Sequence, residues 1–184
     1  MSHHLLFLKQ FFRNPKEIGS FIPASKHLVE EIIKNINFRR AKTIIEIGMG
    51  TGAITKEIIR NCEIDAQIIG IEKNKQMFDY VNKYFQSNIN PIFINDDVVN
   101  LNKYFVAEAD YIISSLPFRN FSIRKQAKIM NIIKSNLKEN GKLILYQYTN
   151  HLDRLLKSYF KSVKKSVVLR NMPVAIVYVC GDVL

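Results

Sequence analysis

Lys42-Thr-Ile-Ile-Glu-Ile47, running into Gly48-Met-Gly50-Thr-Gly52-Ala53, is the stretch that decides the fold class. Its first half is a short apolar, β-branched run, as in a buried strand, and the glycines end it. From Ala53 to about Asn61 the pattern turns helical. Glycines between a strand and its helix let the backbone approach a ligand and adopt positive φ without a Cβ clash. The loop alone leaves the ligand open. Gly48-x-Gly50-x-x-Ala53 also satisfies the dinucleotide fingerprint, and Glu72, at the end of the next strand, is the ribose-binding acid expected in either case.

Working outward, the alternation repeats. Ile68-Ile-Gly-Ile71 reads as a strand and Lys75 to Phe85 as a helix; Pro91-Ile-Phe-Ile94 ends in Asn95-Asp96-Asp97, and Asp110-Tyr-Ile-Ile113 in Ser114-Ser115-Leu116-Pro117. Arg124 to Leu137 carries apolar residues at Ala127, Ile129, Met130, Ile133 and Leu137, a helix that Asn140-Gly141 should stop before the strand Lys142 to Tyr148. Five alternations predict an α/β fold with a parallel sheet and helices on both faces. After a helix near Leu152 to Phe160, the strands Ser166 to Leu169 and Val174 to Cys180 flank Asn171-Met-Pro173, a hairpin added to the sheet edge. No repeat or Pro/Gly/Ser linker interrupts the 184 residues, so one domain is expected, with a helical lead-in over 1–40 and the core over 41–184. The polar strand ends would place ligand contacts along the carboxyl edge of the sheet. Asp96 or Ser114 taken singly is an ordinary turn residue; with the glycine loop and Glu72 they fall in register.

Charge is the first functional clue. Residues 1–40, 41–150 and 151–184 carry net charges of +4, +3 and +4, which puts most of the +11 on two short end segments. Such a surplus suits lipid headgroups or RNA phosphates, or serves solubility alone. Apolar runs such as Leu5 to Leu8 and Ala175 to Val179 are far below the roughly 20 residues that cross a bilayer. No small-residue cleavage site follows the first of these, so no signal peptide is expected. Cys62 and Cys180 lack the number and spacing of a disulfide framework or zinc site, which suits a reducing cytoplasm. His3, His4, His27 and His151 are scattered, and neither a metal cluster nor a Ser/His/Asp arrangement is present in the sequence.

Glu46-x-Gly48-x-Gly50-x-Gly52, Glu72, Asp96 and the Ser115-Leu116-Pro117-Phe118 turn resemble the ordered motifs of class I methyltransferases that use S-adenosylmethionine. The resemblance implies a Rossmann-like, seven-stranded, mostly parallel sheet with a C-terminal antiparallel hairpin, preceded by amphipathic helices. It implies that Gly48, Gly50 and Gly52 pass the methionine part of the cofactor, that Glu72 accepts hydrogen bonds from both ribose hydroxyls, and that Asp96 meets the adenine amino group. Glu46, Thr51, Lys73, Asp97 and Ser114 complete the candidate cofactor set. Methyl transfer from a sulfonium asks chiefly for alignment and exclusion of water, so no catalytic dyad is required.

Specificity lies outside these motifs. On a helix over residues 5–16, Leu5, Phe7, Leu8, Phe11 and Phe12 share a broad face opposite Lys9, Gln10 and Arg13, with Leu6 as the exception. That pattern describes either a helix in a membrane interface or one packed across its own domain. Pro15-Lys-Glu-Ile-Gly19-Ser20-Phe-Ile-Pro23-Ala-Ser25-Lys26 resembles the P-x-x-V-G-S-x-x-P-S-S segment of bacterial soluble phospholipid N-methyltransferases. Ser115-x-Pro117 is similar to their S-x-L-P turn, Asn171-Met-Pro173-Val-Ala175 to their N-x-P-P-A hairpin, and Gln147-Tyr148-Thr149-Asn150 to their Q-F-T-Y. This resemblance implies methylation of the phosphatidylethanolamine amine and its mono- and dimethyl derivatives, by an enzyme attached peripherally to the inner face of the cell membrane. Gly19, Ser20, Pro23, Ser25, Pro117 and Phe118 would line the substrate approach. Tyr148, Ser114 and Ser115 would stand nearest the amine, with the Tyr148 and Phe118 rings available to the cationic headgroup. The partners expected are an anionic phospholipid surface and the lipid amine, with no obligate protein partner. The alternative is an rRNA adenine N6-methyltransferase, which the basic surface suits equally. Against it, Ser115 stands where that family's N-[LI]-P-[YF] turn has Asn, its F-G-Q-x-F-L segment is absent, and no helical substrate domain follows the hairpin.

Overall fold

The computed structural model describes residues 24–85, 91–104 and 108–184. The amphipathic segment 5–16 and Gly19, Ser20 and Pro23 lie outside them. The chain builds α1 (Lys26–Ile33), β1 (Thr43–Ile47), α2 (Ala53–Asn61), β2 (Gln67–Ile71), α3 (Lys75–Tyr84), β3 (Ile92–Ile94) and a 3-10 helix (Val98–Lys103). It continues with β4 (Ala109–Ser114), a short 3-10 turn (Phe118–Asn120), α4 (Ile123–Asn136), β5 (Leu137–Gln147), α5 (Asp153–Lys157), β6 (Phe160–Val168) and β7 (Ala175–Val183). The strands form one sheet in the order β3-β2-β1-β4-β5-β7-β6. The first five are parallel, and β7 runs antiparallel to both β5 and β6.

β1 is central, and its alternation divides the core. Ile44 faces α1 and α2 with Leu28, Ile32, Ile54 and Ile58, whereas Ile45 and Ile47 face α4 with Ile129, Met130 and Ile133. Burial of both faces explains why these strands read as unbroken apolar runs. The chain leaves β1 toward β2 on one side, and β4 joins it on the other, so a crevice opens at the carboxyl ends between them.

Two boundaries differ from the sequence reading. α4 ends at Asn136, one residue before the expected Leu137, but β5 starts at Leu137 in place of Lys142, because Leu137 is already extended and pairs with Ala109. The Asn-Gly pair lies within a register shift of β5, between the Ala109–Leu137 and Tyr111–Lys142 pairings. The expected helix to Phe160 shrinks to α5, and β6 takes its last residue. As an edge strand β6 carries exposed Lys161, Lys164 and Lys165, charges that protect an open edge and hide the period-two signal.

Candidate active site

The glycine loop leaves β1 at the crevice. Gly48, Gly50 and Gly52 have φ of +82°, +53° and +76°, conformations that L side chains rarely adopt. A Cβ on Gly48 would lie 2.9 Å from Ser115 Oγ, and one on Gly52 would run into the Phe85 ring. Gly50 faces open space: nothing lies within 4 Å of the position a Cβ would take. The loop is fixed by its neighbours, since Gly48 N donates to Ile71 O (2.8 Å), Gly50 N to Glu72 Oε2 (2.9 Å), and the Ser115 hydroxyl to Gly48 O.

Two buried carboxyls flank this loop. Glu72 is 5% exposed, and its other oxygen accepts from Asn74 N at 2.7 Å. Burial raises its pKa, against which these backbone N–H groups stabilise the anion. Each oxygen keeps a lone pair for a further donor. Glu46 is 1% exposed, and neither of its oxygens nor the Thr55 hydroxyl beneath the loop has a hydrogen-bond partner among the described residues. Burial, with the nearby Glu72 charge adding, pushes its pKa up to about 8, although Thr55 pulls it the other way. An orphaned buried acid is costly unless a ligand completes it.

Along the edge, Asp96 accepts from Asp97 N, Asn100 Nδ2 and the Tyr104 hydroxyl at 2.7, 2.8 and 2.8 Å. Those bonds hold its carboxyl below the ordinary range. Asp97 caps the 3-10 helix through Val99 N and binds both Lys73 (3.1 Å) and Lys125 (3.0 Å), so the Lys73 ammonium is turned toward Asp97.

A narrow cleft of about 30 Å³ runs past Gly48, Gly50, Thr51, Met77, Ser115 and Tyr146. Ser114 lies behind it, fully buried, with its hydroxyl facing Leu116 N at 3.4 Å. Phe118 is also fully buried, packed edge-on to Phe121 in the core below α4. Its ring therefore faces the core and is closed to a headgroup, contrary to the sequence reading; Pro117 beside it is half-buried. The aromatic wall of the cleft is Tyr146, with Tyr148 standing next to it, ring centroids 5.8 Å apart. Burial and the Tyr148 and Glu46 neighbours raise the Tyr146 phenol pKa. Tyr148 interacts in turn with Asn171. Asn171 accepts from Ser25 N at 3.1 Å, and Ser25 Oγ accepts from Leu28 N at 3.2 Å as the N-cap of α1. Sequence reasoning missed Tyr146. The available signal was its period-two relation to Tyr148, which stands just past the end of β5.

A family model described as a methyltransferase domain matches residues 44–141, more than half of the chain. The chain belongs to the methyltransferase family. This methyltransferase is 28% identical over 190 aligned residues to the ornithine lipid N-methyltransferase of Singulisphaera acidiphila, covering 100% of the chain and 98% of that protein. It is 26% identical to ribosomal RNA small subunit methyltransferase A of Blochmanniella pennsylvanica, covering 80% of the chain and 65% of that protein. Among solved structures, a methyltransferase from Geobacter sulfurreducens superposes with a TM-score of 0.68 at 12% identity, covering 98% of this chain and 90% of that one, a likeness of fold.

Membership implies S-adenosylmethionine as the methyl donor, and the site fits it. The open cradle at Gly50, the spare acceptor capacity of Glu72 and the orphaned Glu46 suit a ligand with hydroxyl donors and an ammonium group. When bound, that group supplies an electrophilic methyl on a sulfonium. Glu46, Glu72 and the glycine loop are the residues that would hold it.

Proposed function

We propose that this methyltransferase transfers methyl groups to the amine headgroup of a membrane lipid, phosphatidylethanolamine or an ornithine lipid, at the bilayer surface. The observation that carries the reading is the end-to-end match to the ornithine lipid N-methyltransferase, which spans the cleft, the Ser115 turn and the hairpin alike. The attacking amine must be neutral, so its proton must leave to an acceptor at the cleft. Tyr146, through its phenol oxygen, and Ser115 are the cleft side chains nearest such an amine, with Tyr148 behind them as the second phenol of a pair.

The matches to rRNA methyltransferases favour an RNA adenine as the second reading. The Ser115 hydroxyl speaks against it, because it donates inward to Gly48 O where that family carries an amide side chain. The deciding experiment offers labelled S-adenosylmethionine with three acceptors in parallel: phosphatidylethanolamine vesicles, ornithine lipid vesicles and ribosomal RNA. Label is expected in lipid. Label in RNA alone would overturn the proposal, and the ratio between the two lipids assigns the headgroup.

A further inference from the structure

Two turns frame the mouth of the cleft. The segment 115–122 leads from β4 into α4, and the segment 169–174 joins β6 to β7. Both lie at the carboxyl edge, because Ser114 ends β4 beside Leu145, and Ala175 and Ile176 start β7 beside Val168 and Gln147. Large aliphatic side chains face solvent in the second turn and just past the first: Leu169 is 77% exposed, Met172 86%, and Ile123, at the first position of α4, 85%. Turns are ordinarily built from Gly, Pro, Asn, Asp and Ser, and the fold gains nothing from these three. The 169–174 turn is nevertheless held firmly. Asn171, 3% exposed, accepts from Ser25 N and donates through Nδ2 to Pro173 O at 2.7 Å, so the polar residue points in and the apolar ones out.

Cations accompany the aliphatics. Arg119 and Arg124 flank Ile123, Arg170 sits between Leu169 and Met172, all three are exposed, and none makes an ion pair with another described residue. At the opposite edge Ile64, 70% exposed in the turn between α2 and β2, stands between Glu63 and Asp65, the latter paired with Lys42. Unpaired arginines beside protruding aliphatics match a surface that is anionic outside and hydrocarbon a few ångströms below. An RNA face would call instead for aromatic rings on which bases stack.

We propose that the protein seats on an anionic lipid bilayer by the rim of its own cleft, with Ile123, Leu169 and Met172 entering the acyl boundary and Arg119, Arg124 and Arg170 meeting headgroup phosphates. The choice of occupant rests on the lipid-amine reading, and the seating lets a headgroup reach the cleft without the lipid leaving the membrane.

The chain has no tryptophan, so a single introduced one reports its own surroundings. Full-length protein carrying Met172→Trp is mixed with phosphatidylglycerol/phosphatidylcholine vesicles free of any methylatable amine, and with phosphatidylcholine vesicles alone. Emission should shift to the blue and be quenched by brominated acyl chains on the anionic vesicles, while Ile64→Trp stays unchanged. Leu169→Ser/Met172→Ser should weaken vesicle association about tenfold or more, with S-adenosylmethionine affinity unchanged. Sedimentation with the anionic vesicles while Met172→Trp stays unshifted, no sedimentation at all, or a response to ribosomal RNA in place of vesicles would each overturn the proposal. Because these vesicles offer no acceptor, the two readings fail separately. Docking without methyl transfer to any lipid sinks the lipid-amine function, whereas transfer with the rim unengaged sinks this one.

Discussion

Glu46 offers a sharp test of how the site is built. Unfolded, its carboxyl titrates near its ordinary 4.5; folded and ligand-free, near 8, because burial and the neighbouring Glu72 charge outweigh the opposing pull of Thr55. Between those values the folded chain holds a proton that the unfolded chain has released, so stability falls as pH rises, by up to ~1.4 kcal/mol per pH unit. The contribution is intact below about pH 4.5 and fully lost above about pH 8. Glu46→Gln keeps the shape and removes the titration. Relative to the variant, the parent protein should therefore lose about 3 kcal/mol between pH 5 and pH 7.5. That loss is roughly 6 to 12 °C of melting temperature for a chain of this size. Urea denaturation at half-unit pH steps checks it, with the difference between the two proteins cancelling other groups. Binding of the methyl donor should also expel a proton at pH 7, visible calorimetrically as a heat that changes with the buffer's ionisation enthalpy. Parallel stability curves for the two proteins would refute the reasoning, since they would mean that Glu46 is not the folded state's excess proton carrier.

Glu72→Ala removes the acceptor of Gly50 N and Asn74 N, and with it the acid expected to meet the ribose hydroxyls. S-adenosylmethionine affinity should fall by about 1.5 to 3 kcal/mol for each charge-assisted bond lost, and unchanged affinity by calorimetry in a folded variant would count against the placement of this acid. Tyr146→Phe should lower kcat/KM about tenfold or more in the labelled-lipid assay, whereas Tyr148→Phe, one ring further from the cleft, should cost mainly about 1 kcal/mol of stability; the reverse order would return the acceptor contact to Tyr148.

Much of the architecture was legible from local pattern alone. Strands buried on both faces are continuous β-branched runs, and the glycine loop must be glycine because three of its residues take positive φ, so β1, β2, α2 and the loop read directly. Glu72 and the Ser114–Ser115 turn were legible for the same reason: each closes a parallel strand, and parallel strands deliver their ends to one edge. Other features depended on partners distant in sequence. β6 became a nine-residue strand only through pairing with β7, and α4 stopped where Leu137 found Ala109. Tertiary packing alone decided that Glu46 is an orphan beneath the loop, that Phe118 belongs to the core, and that Tyr146 rather than Tyr148 lines the cleft. Sequence can say which residues alternate along a strand. Which of them reaches a cavity, and which carboxyl is left without a donor, depends on what the neighbouring elements place opposite it.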